Sequence, residues 1–141
     1  MSKCVAIIFI SLLFPTCAAH GATESHYACA ATDSNVVLAL DVTINDGGGE
    51  HVTRLSGSLT TKKRITSEKG SFTYPAIQFS LSDVRQLWDA ESDFNILLFR
   101  SAPKAMYLTI RTSCNQKNCD GTYTLSVEGA SLTGLVACKM D

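Results

Sequence analysis

The chain is 141 residues long, 45% hydrophobic and 18% charged, with 9 Gly and 3 Pro. That suits one folded domain and excludes a disordered or collagen-like chain. Twelve Lys and Arg against thirteen Asp and Glu leave a formal net charge of −1, so no global field draws the protein to nucleic acid or acidic lipid.

Met1-Ser2-Lys3 forms a short basic start, and Val5 to Phe14 (VAIIFISLLF) is apolar apart from Ser11. Pro15 breaks that run, and Cys17-Ala18-Ala19 puts small residues at the −3 and −1 positions. Together these read as a secretory signal peptide over residues 1–19, cut after Ala19. As a helix the run spans about 15 Å, half of a roughly 30 Å hydrocarbon core, which argues against a membrane anchor. Lipidation at Cys17 is disfavoured as well, because Phe14-Pro15-Thr16 poorly matches the residues that precede a lipidated cysteine. The expectation is a periplasmic or extracellular protein in which residues 20–141 form a single domain. Residues 1–19 carry only Lys3 among charged side chains, so this domain has a net charge of −2.

From Val36 onward the apolar pattern has period two. Val36, Leu38, Leu40, Val42 and Ile44 alternate with Val37, Ala39, Asp41 and Thr43, which predicts a strand with one apolar face. Asn45 to Gly49 is a hairpin turn whose glycines accept positive φ. His51 to Thr61 returns as a strand, with Gly57 marking a bulge or bend. Lys62, Lys63, Arg64 and Lys69 form the basic cluster, and without an aromatic platform they read as a solvated hairpin tip. Ser71 to Leu81 is the next strand, and its inward parity switches at Pro75.

Ser82 to Trp88 breaks the alternation. Ser82 can cap, Asp83 suits a helix N-terminus, and Val84, Leu87 and Trp88 fall at i, i+3 and i+4. The spacing predicts one short helical turn near residues 82–89. Phe94 to Arg100 is apolar on both parities and reads as a central strand. Met106 to Arg111, Tyr123 to Val127 and Leu132 to Cys138 alternate again. With Tyr27-Ala28-Cys29 at the start, the count is about eight antiparallel strands at hairpin spacing, an all-β barrel or sandwich.

The six cysteines reduce to Cys29, Cys114, Cys119 and Cys138 once Cys4 and Cys17 leave with the signal. An even number in an exported domain reads as two disulfides. Cys114 and Cys119 flank a turn between two strands, and pairing Cys29 with Cys138 requires the first and last strands to be neighbours. Neither C-x-x-C nor a histidine pair at zinc-ligand spacing is present, so structural bonds are favoured over redox or metal chemistry.

Catalytic motifs for a nucleophile elbow, a zinc protease or a phosphate loop are absent from the sequence. No catalytic residue, cofactor or metal is assigned. The candidate contacts are Trp88, Asp89 and Glu91, because the Ser82–Asp93 segment is long, acidic and interrupts the strand pattern. The order of features is Tyr27-x-Cys29 near the mature start, a β meander, an aromatic and Trp middle, and Cys138 near the end. It resembles that of small periplasmic lysozyme inhibitors. No inhibitory motif of that family aligns here residue by residue, so no site is carried over. The expected function is non-enzymatic protein binding by an exported monomer, inhibition included. A small apolar-ligand carrier and an enzyme with an unrecognised site are the alternatives.

Overall fold

A computed structural model describes residues 23–74, 76–88 and 93–141. Residues 1–19, where a signal peptide is expected, and the two candidate contacts Asp89 and Glu91 lie outside the described residues. The strands are β1 (Glu24–Thr32), β2 (Val36–Asn45), β3 (His51–Thr61), β4 (Ile65–Ser67), β5 (Gly70–Phe72), β6 (Ile77–Ser80), β7 (Val84–Trp88), β8 (Asn95–Arg100), β9 (Met106–Asn115), β10 (Asn118–Val127) and β11 (Ala130–Met140). Nine of them form one antiparallel sheet in the order β6-β3-β2-β1-β11-β10-β9-β8-β7, and β4 and β5 make a separate hairpin.

The sheet curls into a nearly closed barrel: β1 and β11, the first and last strands of the chain, pair within it, and its two edge strands, β6 and β7, are consecutive in the chain. Cys29 faces Cys138 across β1 and β11, and Cys119 faces Cys114 across β10 and β9. Both pairs are bonded, with Cα–Cα distances of 3.9 Å. Closure on the other side is less regular. Ile77 to Ser80 pair with Leu59 to Ser56 of β3, whereas Val84 to Trp88 pair with Leu98 to Asn95 of β8. The two segments follow one another without reversing. They are therefore two halves of one stave, the first bonded to one neighbour and the second to the other. Counted that way, the barrel has the eight staves that the hairpin spacing predicts.

The hand-over between the halves is a 3-10 turn, Leu81–Asp83. The buried Asp83 carboxylate accepts the Ser80 amide at 2.8 Å and lies 3.9 Å from the Arg100 guanidinium. Arg100 also donates to the Gln78 carbonyl, which ties β8 to β6 where the ladder is missing. The expected helical turn is thus shorter and earlier than its spacing suggested, and Val84 to Trp88 is strand. A bulge between Val84 and Gln86 explains the misleading period. The extra residue lets Val84 and Leu87, three apart, both pack against the core, as they would on a helix.

Inside, the predicted stripe of Val36, Leu38, Leu40, Val42 and Ile44 is buried. Tyr27 stacks on Phe94 with ring centroids 4.3 Å apart. Tyr123 is fully buried and faces Gly134 in register. A Cβ at Gly134 would meet the Tyr123 ring and the Asp33 carboxylate, so glycine leaves the space that these two groups occupy.

One barrel end is covered by the excursion between β3 and β6. Tyr74 and Thr61 exchange backbone and hydroxyl bonds, and Ile65 and Tyr74 are buried. Lys62 Nζ donates to the Asp33 carbonyl at 2.7 Å, and Lys63 Nζ to Ser34 Oγ. Two of the four clustered cations therefore fasten the excursion to the β1–β2 turn.

Asp33 organises that turn. Its carboxylate accepts the Asn35 and Val36 amides at 2.7 and 2.9 Å and the Tyr123 hydroxyl at 2.6 Å. Burial pushes the Asp33 pKa up, but the Tyr123 bond, the two amides and the Lys62 charge outweigh it, so the carboxyl sits below the usual range. A carboxyl with a lowered folded pKa stabilises the fold above its unfolded pKa, and that contribution disappears as pH falls through the folded value. Tyr123→Phe should therefore cost about 1.5–3 kcal/mol at pH 7, the usual worth of a hydrogen bond to a charged group. The same substitution should cost less in acid, because the contribution of the charged acceptor is lost as pH falls through the lowered folded pKa of Asp33. Urea titrations of both proteins at neutral pH and in acid check this, and an unchanged difference would contradict it.

Candidate functional site

Residues facing one another in register point to the same side of a sheet. Trp88 faces Asn95, Asn95 faces Arg111, Arg111 faces Thr122 and Thr122 faces Leu135. This row alternates with the buried Ile96, Ile110, Tyr123 and Val136, so it lies on the outer surface. The sequence singles out Trp88, in a segment that interrupts the strand pattern, as a candidate contact. The structure puts it outside the core, half-buried at the second half of the broken stave. The Arg111 guanidinium lies over its ring, 5.9 Å from the centroid.

Two shallow grooves flank this row. The first, of about 540 Å³, is lined by Trp88, Asp93, Asn95, Arg111, Asp120 and Thr122, among others. The second, of about 630 Å³, is lined by Ala30, Thr32, Leu135 and Ala137 and shares Asp120, Gly121 and Thr122 with the first. They meet where β10 comes close to β9: a Cβ on Gly121 would strike the Arg111 carbonyl and the Thr112 Cα. Gly121 faces the buried Thr112 and Val136, so its missing side chain is on the inner face, and the close approach of the two strands lies beneath the junction of the grooves.

The two grooves differ in chemistry. The first offers an indole, a guanidinium and two carboxylates, with Asn95 held in place because its Oδ1 accepts the Thr112 amide at 3.2 Å. The second is built from alanines and threonines beside Leu135, which is 78% exposed. Higher on the same outer face, Arg85 covers Phe99 and Phe99 packs on the exposed Tyr107. Of the sequence-derived contacts only Trp88 falls on this surface among the described residues. Arg111, Leu135 and Tyr107 were missed. Their signal was a large or charged residue at an outward position of a strand whose other outward residues are small and polar.

The two described histidines, His26 and His51, do not join the surface. His26 lies between Asp41 and Asp141, at 3.5 and 3.6 Å, and His51 Nδ1 is 2.8 Å from the Gly49 carbonyl. Among the described residues no group of His, Cys, Asp and Glu side chains is arranged to hold a metal ion. None of the described helices is long and apolar enough to cross a membrane. Comparison of the chain with protein-family models, with curated proteins and with solved structures finds no match in any of the three.

Proposed function

We propose that the protein is an exported, non-enzymatic binding domain that docks a protein partner on the outer face of β7 to β11. The observation that carries this is the junction of the two grooves at Asp120–Thr122. It places Trp88, Arg111 and an almost fully exposed Leu135 along one register row. Trp and Arg are the side chains that most often dominate binding energy at protein interfaces. An apolar groove beside them supplies area that gains from leaving water. Two disulfides suit an oxidising compartment. The inward faces are filled by Tyr123, Phe94, Leu38, Leu40 and their neighbours, which favours a packed interior over a carrier's cavity.

Purified from the secreted or envelope fraction, the chain should start near His20 by intact mass. Immobilised, it should retain a protein from that fraction that an Arg111→Ala, Leu135→Ser double variant retains at least about tenfold less well, the usual loss on truncating one central contact. Both changed side chains are exposed, so the variant should melt like the parent. A chain still carrying residues 1–19 would refute export. Equal retention by the two proteins would refute the surface.

A further inference from the structure

We infer that the four cysteines form a thiol–disulfide relay, through which a dithiol acting at the rim of the barrel opens the buried bond that closes it. Cys29 faces Cys138, Cys138 faces Cys119, and Cys119 faces Cys114. All four therefore stand in one row across β1, β11, β10 and β9, with their side chains on the same side of the sheet. The two bonds occupy the outer pairs of this row, and the middle pair, Cys119 and Cys138, is left unbonded between them.

The middle pair has the geometry for a bond of its own. In an antiparallel sheet the narrow, non-hydrogen-bonded pairing and the wide, hydrogen-bonded one face opposite edges of a strand. Both bonded pairs are narrow, with Cα–Cα distances of 3.9 Å. The pairing of Cys119 with Cys138 is then the wide kind, at about 5.5 Å, inside the range of roughly 4.4–6.8 Å that a disulfide spans.

Access along the row is graded. Cys29, Cys119 and Cys138 are buried at 3%, 0% and 1% exposure. Cys114 is only half-buried and stands at the end of β9, beside the β9–β10 turn. A thiolate from solvent attacks Cys114 Sγ, forms a mixed disulfide there and releases Cys119 as a thiolate. Cys119 then attacks Cys138 Sγ, which forms the Cys119–Cys138 bond and releases Cys29, and Cys29 takes up a proton. The second thiol of the dithiol displaces Cys114, which is protonated in turn. The dithiol leaves oxidised by two electrons, and the protein retains one disulfide and two thiols. Exchange of this kind depends on which sulfur can be reached, so the row gives a solvent reductant a route to a bond it cannot touch directly. The result moves the cross-link from the β1–β11 closure to the β10–β11 hairpin.

The test treats the oxidised full chain with limiting dithiothreitol, quenches in acid over a time course, alkylates free thiols and maps the peptides without further reduction. The expected product links Cys119 to Cys138, with Cys29 and Cys114 alkylated. Alkylation of Cys114 and Cys119 alone, or complete reduction with no Cys119–Cys138 species at any time, would overturn the relay. A Cys114→Ser, Cys119→Ser variant keeps the closing bond but removes the route to it. Its Cys29–Cys138 bond should outlast that of the parent by about tenfold or more under the same reductant, as expected when only direct attack on a buried sulfur remains. Equal lifetimes would overturn the relay too.

Discussion

Replacing Cys29 and Cys138 together by alanine should lower the unfolding free energy by about 3–5 kcal/mol, whereas the same replacement at Cys114 and Cys119 should cost about 2 kcal/mol. The ordering follows from what each bond denies the unfolded chain. The first joins residues 109 apart and the second residues 5 apart, and the loop-closure entropy that a cross-link removes grows with the logarithm of loop length. The first bond also sits at the seam where the terminal strands meet. Its loss leaves that closure to the backbone ladder and to side-chain packing alone. Guanidinium denaturation of the two double variants against the parent decides the matter. Equal losses, or a larger loss at the hairpin, would show that residual structure in the unfolded chain sets the effect.

Gly121→Ala should be the most damaging single substitution at a small residue, at about 3 kcal/mol or more, the upper range for overpacking a core. The added methyl would overlap the Arg111 carbonyl and the Thr112 Cα. These are backbone atoms of the facing strand, and they cannot yield as a flexible side-chain end would. Gly129→Ala is the control. Its neighbourhood is open but its φ is +88°, so the cost there is the roughly 1–2 kcal/mol of left-handed backbone. Thermal melts of the two variants should separate clearly. A Gly121→Ala protein as stable as the Gly129→Ala one would mean that β9 and β10 can move apart at little cost. Because both grooves meet at Gly121, the same variant should also disturb partner binding if it folds.

Most of the barrel was legible because period-two burial is a strong signal in strands with one wet face. Val36 to Ile44 and Met106 to Ile110 show it without interruption, and the turn glycines between strands confirm the spacing. Both disulfides followed from the same reading, since strands that flank a turn pair, and a closed meander brings its ends together. The stave at residues 77–88 was hidden for a specific reason. Its bulge reproduces helical spacing over Val84 and Leu87, and Ser82 with Asp83 mimics a helix start. A sequence shows a period but not which hydrogen-bond partner a segment takes halfway along. The surface was harder still. Asp89 and Glu91 stood out as neighbours of Trp88 in sequence, whereas Arg111 and Leu135 reach the same row only through register across three other strands. No local pattern encodes that, although an exposed leucine on a polar strand face was a hint.

The broken stave gives the barrel a weak side. It holds each neighbour through four register pairs, whereas β10 and β11 share ten. The free energy of local opening rises with the number of contacts that must be given up. Counted around the eight staves, the cystine row lies on the far side, across β9, β10, β11 and β1. The molecule is thus built like a clamshell, with a covalently reinforced spine and a lip that parts first. Trp88 ends that lip, and its packing against Arg111 joins it to the rigid half. A partner seated over both residues would bridge the opening and hold the shell shut, so that occupancy on the outside would be felt as stiffness within.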